Sequence, residues 1–234
     1  ELDRRHRLMA RMQRSGALAM RHRVRHTVFP APPARRPGER LRVHIPFPVE
    51  CEGQTDIRLL AASPGAHISD AQQRTVFFEA VDCGQEFFVE YEFDSLRRWI
   101  PADSAAVSAE QPRAFTHEEE PHIRFTPLLR ALARELAGDE TNPLLVARRI
   151  YDHITQNIAY SYMRSYLLFD NIPEFAVLSR RGDCGVQALL FITLCRICGI
   201  GAEWESGMAL APGHVGSHDW ARYYVAPFGW LYAD

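Results

Sequence analysis

Between Gly182 and Asp234 the chain sets an apolar helical run against an alternating hairpin, and this pairing constrains the fold more than any other feature. Ala188, Leu189, Leu190, Phe191 and Leu194 recur at helical spacing. The run stops at Gly199, a helix C-terminus signal. Asp183 suits the N-cap, which places Cys184 in the first turn. Further on, Trp220, Arg222 and Tyr224 alternate with Ala221, Tyr223 and Val225, the period of a strand. Pro227-Phe228-Gly229 reads as a turn, and Trp230-Leu231-Tyr232-Ala233 as the returning strand.

Chemistry gathers at the edges of these elements. A thiol attacks carbonyl carbon as thiolate, and a nearby base helps it to ionise. Cys184 at a helix start meets the positive end of the helix dipole, which favours the thiolate. The plainer fate of a free cysteine is to be a small buried hydrophobe. Gly182-Asp183 argues against that here, because a polar turn belongs at the surface. His218 stands near the start of the first hairpin strand, and Asp234 ends the second. A hairpin brings these two within side-chain reach, so Asp234 can orient the imidazole. Either residue alone would more often be an ordinary solvated one.

Taken in order, the motifs resemble those of the transglutaminase-like superfamily, relatives of the papain-like thiol enzymes. Arg180-Arg181-Gly182-Asp183-Cys184-Gly185-Val186-Gln187-Ala188-Leu189-Leu190 is similar to the family's cysteine motif at a helix start. Leu194-Cys195-Arg196-Ile197-Cys198-Gly199-Ile200-Gly201-Ala202 follows, with Gly201 where proline is usual. His218-Asp219-Trp220 supplies the His-x-Trp, and Gly229-Trp230 with Asp234 closes the set. Upstream, the segment from Ile150 to Tyr160 looks like the helix and Ile-x-Tyr before the core. The resemblance covers roughly residues 143–234.

The resemblance implies an α+β fold, with helices packed on an antiparallel sheet in a papain/transglutaminase-like catalytic core. It implies Cys184 as nucleophile, His218 as general base and acid, and Asp234 as the orienting group. The backbone N–H of Cys184 would be one oxyanion donor. A second donor would come from Tyr160 or Tyr162, with Gln156 a weaker choice; ordinary packing is the plain alternative for the tyrosines. Family members usually continue past this aspartate, so a C-terminal truncation is expected, and Glu1 is not expected to be the natural start.

The implied activity is a cysteine-nucleophile enzyme on amide bonds, through a thioester. Hydrolysis of a peptide or isopeptide bond is favoured over a protein-glutamine transglutaminase or a deamidase. A non-catalytic binding module that keeps the fold is the alternative of another class. The partner would be a protein or peptide, and no cofactor or metal is called for.

The rest of the chain organises around this core. Leu41, Val43, Ile45 and Phe47 alternate with Arg42, His44 and Pro46, and Phe87, Val89, Tyr91 and Phe93 with Phe88, Glu90, Glu92 and Asp94. With Val24 to Phe29 and Thr75 to Phe78, they imply a small antiparallel β-sandwich over 20–100. Turns fall at Pro30 to Gly38, Gly53, Pro64-Gly65 and Gly84. Residues 1–19 form a helical arm, with Leu2, Leu8, Met9 and Met12 on one side, or a frayed solvated one. Residues 101–121 read as a linker, rich in Pro, Ser and Glu. The core then spans 122–234, where Thr126-Pro127 and Asn142-Pro143 are two cap-plus-proline helix starts.

Composition excludes more than it selects. At 47% hydrophobic and 24% charged, this is an ordinary globular composition. A net charge of −2 gives no electrostatic case for nucleic acid. No apolar run approaches a membrane span. No leader pattern is visible; an intracellular protein is the simpler expectation, with secretion left open. All 27 Lys+Arg residues are arginine, so the chain has no lysine of its own to act as acyl acceptor. There are five cysteines, an odd count that leaves at least one unpaired. Cys51 and Cys83 are free to pair within the β-region. Cys195 and Cys198 form a C-x-x-C inside a helix. Even with His214 nearby, the order does not match a zinc ribbon, and buried core cysteines are the default.

Overall fold

The structure is a computed structural model that describes residues 2–32, 35–69, 71, 74–211 and 214–234. Positions 33 and 34 of the turn read over Pro30 to Gly38 lie outside the described residues, as do the side chains of Leu2 and His214. The chain divides into two compact units, Glu1–Trp99 and Ile100–Asp234.

The first unit is built on strand alternation. Helix α1 (Leu2–Ser15) keeps Leu8 and Met12 half-buried and leaves Met9 exposed. It ends at Gly16, whose φ of 71° suits glycine. Strand β1 (Ala17–Val28) then runs antiparallel to β6 (Phe87–Arg98) over its whole length, Ala17 opposite Arg98 and Val28 opposite Phe87. Strand β3 (Gln54–Ala62) takes the other edge of β6. A second antiparallel sheet holds β2 (Arg40–Pro46), β5 (Thr75–Val81) and β4 (His67–Ser69), with β5 in the centre.

The period-two pattern of β6 decides which face is inside. Phe87, Val89, Tyr91 and Phe93 are buried, whereas Glu90, Glu92 and Asp94 point out and meet Arg21, Arg23 and Arg58. The two sheets meet through Phe47 against Tyr91 and Phe78 against Phe87, each pair with ring centroids 5.3 Å apart. The outward ion pairs add little stability, since exposed pairs are worth about 0–1 kcal/mol each. The apolar faces hold the sandwich together.

The second unit is mixed α+β. Segment 101–121 is not a free tether. Ser108 N–H donates to the Ala226 carbonyl at 2.9 Å, Gln111 Oε1 accepts from Ala226 N–H at 2.8 Å, and Ala202 N–H donates to the Phe115 carbonyl at 3.2 Å. Its composition reads as a linker because backbone pairing, not an apolar pattern, holds it.

Three helices follow. In α2 (Pro127–Ala137) the Thr126 side chain accepts from Leu129 N–H, and in α3 (Pro143–Asn157) Asn142 accepts from Leu144 N–H. Each has proline just inside the cap, where a missing N–H costs nothing. In α4 (Ile172–Ser179) Asn171 is the cap. Two short parallel strands, β7 (Ala159–Tyr160) and β8 (Arg181–Gly182), bring the chain to α5 (Cys184–Ile197).

Helix α5 is the centre of this unit. It is apolar nearly all round, with Val186, Leu190, Ile192 and Leu194 fully buried, as expected of a helix covered on every side. Behind it stands a sheet with β10 (His214–Val225) between β9 (Ala202–Ala211) and β11 (Gly229–Ala233). Phe191 packs edge-on to Tyr223 at 5.5 Å. Arg196, near the helix end, is 3% exposed. It is satisfied by the carbonyls of Ala202 and His117 and by Glu119, so its buried charge is not left unpaired. Among the described residues no helix is long and apolar enough to cross a membrane.

Candidate active site

The N-terminus of α5 is fixed before any chemistry is considered. Asp183 caps it, Oδ1 accepting from Val186 N–H at 3.0 Å. The Tyr166 hydroxyl donates to the same oxygen. Burial first, then this bond to Asp183, holds the Tyr166 phenol well above its ordinary range. Gly185 makes the approach possible: a Cβ there would stand 2.2 Å from the Tyr166 hydroxyl and 2.6 Å from the Trp204 ring. Cys184 is therefore the first residue of a rigidly capped helix, half-buried, with a free thiol.

The sheet supplies the other side. β11 pairs with β10 only as far as Ala233 opposite Ala221. His218 and Asp219 stand beyond the end of that ladder, and Asp234 follows directly from it. The His218 Nε2 and Asp234 Oδ2 atoms are 2.8 Å apart. The His218 ring also lies beside Trp220, with centroids 5.9 Å apart. From α3, the Tyr151 hydroxyl donates to the Asp234 backbone carbonyl at 3.1 Å.

These groups share one cavity of about 160 Å³, lined by Cys184, His218, Asp219, Asp234, Tyr160, Gln187 and Tyr151 among others. Among the described residues no hydrogen bond joins Cys184 to His218. The thiol instead donates to Asp219 Oδ2 at 4.0 Å, the limit for sulfur. Burial, followed by the charge of Asp183, pushes the Asp219 carboxyl pKa up, and His218 acts the other way. Tyr160 is 73% exposed overall. It nevertheless lines the cavity beside Cys184, and its phenol pKa is raised by desolvation first and then by Cys184, with the Cys184 backbone acting the other way.

Tyr162 is 92% exposed and is not among the residues lining the cavity, and neither is Gln156. Conversely, sequence reasoning gave no role to Tyr151, Tyr166 or Gln187, and Asp219 entered it only as the alternative to Asp234 for the third triad member. Asp219 carried a usable signal, as a charged residue beside a histidine on a strand with an apolar face. Tyr151 and Tyr166 come from other elements and left no local mark, whereas Gln187 lies on α5 itself, one turn after Cys184. The remaining cysteines are also free: Cys51 and Cys83 are exposed and unpaired, so the disulfide open to them is not formed. Burial pushes the thiols of Cys195 and Cys198 up. Among the described residues no cluster of His, Cys, Asp and Glu could hold a metal ion.

Residues 130–234 match the transglutaminase-like superfamily. Over these residues the second unit is similar to that superfamily. Its family match begins within α2 and runs through Cys184, His218 and Asp234. No curated protein matches the chain. Among solved structures, a candidate cysteine protease from Cytophaga hutchinsonii is similar at 18% identity with a TM-score of 0.66, over 93% of this chain and 78% of that one. The periplasmic domain of TgpA from Pseudomonas aeruginosa is similar at 17% identity with a TM-score of 0.50, over 86% of this chain and 70% of that one. Identities this low speak for a shared fold.

Proposed function

We propose that the transglutaminase-like core is a cysteine-nucleophile enzyme that hydrolyses a peptide or isopeptide bond. The observation that carries this reading is the shared cavity: a thiol on a capped helix N-terminus lines the same cavity as a histidine held by a carboxylate at 2.8 Å.

The steps follow from the arrangement. With Asp234 on Nε2, that nitrogen carries the hydrogen, and Nδ1 keeps its lone pair for the thiol. His218 Nδ1 takes the Cys184 proton, and the thiolate adds to the substrate carbonyl carbon. The oxyanion is held by the Cys184 backbone N–H and the Tyr160 hydroxyl. Collapse of the tetrahedral adduct breaks the C–N bond. The imidazolium gives its proton to the leaving amine, and a thioester remains. His218 then takes a proton from water, hydroxide adds to the thioester, and the thiolate leaves. The products are an amine, a carboxylic acid and the restored thiol. Asp234 stays ionised throughout and stabilises the imidazolium.

Water is always present to resolve the thioester, and the designation of the Cytophaga hutchinsonii protein supports a protease reading. The test is a peptide mixture incubated with the parent and with Cys184→Ala, read by mass spectrometry with and without an added primary amine. Cleavage that Cys184→Ala abolishes is expected. Incorporation of the amine without cleavage would transfer the assignment to transamidation.

A further inference from the structure

One carboxylate in the cavity has no part in these steps. Asp219 is half-buried, and among the described residues the Cys184 thiol is its only hydrogen-bond partner, at 4.0 Å. It makes no ion pair among those residues, in a chain where arginine answers carboxylates elsewhere: Arg21 to Asp94, Arg23 to Glu90, and Arg222 to Glu203 and Glu205. The other titratable groups that face it are accounted for. Asp183 is bonded by Val186 N–H and Tyr166. Asp234 has His218. Tyr160 and Tyr151 bring hydroxyls, not cations, and no arginine is among the described residues lining the cavity. The carboxyl pKa is raised by desolvation and by Asp183, and His218 offsets this only in part. A partly buried charge without a partner is costly, and such groups gather at functional sites.

We propose that Asp219 selects substrates that carry a cationic group, an ammonium or a guanidinium, beside the carbonyl that Cys184 attacks. This rests on Cys184 being the attacking group. The carboxylate stands next to the sulfur, so a cation paired with it lies within one side chain of the reacting carbon. The cation also supplies the compensation that the protein withholds. Charge complementarity of this kind acts mainly through selection and encounter rate.

Two charged thiol reagents test it on the full chain: aminoethyl methanethiosulfonate, a cation, and sulfonatoethyl methanethiosulfonate, an anion. With either, the Cys184 thiolate attacks the reagent sulfenyl sulfur. A disulfide forms, methanesulfinate leaves, and the thiol proton goes to solvent. Rates at Cys184 are read by peptide mapping, each divided by the reagent's rate with mercaptoethanol. The cation-to-anion ratio should be about tenfold higher in the parent than in Asp219→Asn, as expected for loss of one close charge, and should shrink as salt is added. Asp219→Ser should behave as Asp219→Asn. Equal ratios in parent and variants, or preference for the anion, would overturn the proposal. So would failure of both variants to fold, since Asp219 would then be structural. Inertness of Cys184 to both reagents would instead overturn the nucleophile assignment on which the proposal stands.

Discussion

His218 offers two ring nitrogens, and the carboxylate at Nε2 decides which one carries the hydrogen. Asp234→Asn should therefore keep the fold and lower turnover. The loss should be smaller than the roughly 10⁴-fold known for that change in a serine triad, because a thiol gives up its proton more readily than a serine hydroxyl and depends less on the oriented base. Turnover of the variant equal to the parent's, with melting temperature as the folding control, would remove Asp234 from the mechanism. Asp219 makes the opposite kind of prediction. Its folded-state carboxyl pKa is raised above 3.8. Between the two values the native state binds more protons than the unfolded one, so stability is lost as pH rises through that window. Asp219→Asn should thus melt higher than the parent at neutral pH, with the difference vanishing in acid below the unfolded pKa. A variant that melts lower at every pH would show that the carboxylate supports the fold.

At the scale of elements, the N-terminus of α5 is where sequence and structure meet most closely. Asp183 as cap and Cys184 as first helical residue were both legible, because capping chemistry is local. Asp183→Ala should cost about 1 kcal/mol from the cap, and it should also free Tyr166 from its partner. Thermal melting would measure the loss, and an unchanged melting temperature would contradict the capping role. Gly185→Ala should destabilise by about 1–3 kcal/mol, the usual cost of overpacking, because the new methyl would meet Tyr166 and Trp204. That exceeds the roughly 1 kcal/mol helix preference of alanine over glycine; a higher melting temperature would contradict it. Other elements were legible for similar reasons. The proline-capped starts of α2 and α3 and the β10–β11 hairpin each carry their signal within a few residues.

Elements that stayed hidden lacked such a signal. Strand β3 breaks alternation, with register shifts between Thr55 and Arg58 and between Leu59 and Ala61. It also carries Asp56 at φ 53°, so its residues change face along the strand. Helix α4 is only eight residues long, too short for a 3.6-residue period to stand out. Strand β9 was not read at all. Its inward residues are small or half-buried, and its pairing to β10 is a long-range fact. In the site, Tyr151 and Tyr166 reach Asp234 and Asp183 from 83 and 17 residues away, distances that no local pattern records.

Across the two units, one thiol out of five is set apart by its surroundings. Cys51 and Cys83 are exposed on the first unit, where accessibility favours their reaction. Cys195 is buried and Cys198 half-buried in the second, and burial raises both pKa values. Cys184 is half-buried, and helix dipole and imidazole, not exposure, are what should make it reactive. The most direct measurement is the alkylation rate of each cysteine by iodoacetamide at neutral pH, by peptide mapping of the intact chain and of His218→Ala. Cys184 should react first in the parent and lose its lead in His218→Ala. If Cys51 and Cys83 react ahead of Cys184 in the parent, and His218→Ala leaves the order unchanged, Cys184 is not an activated nucleophile.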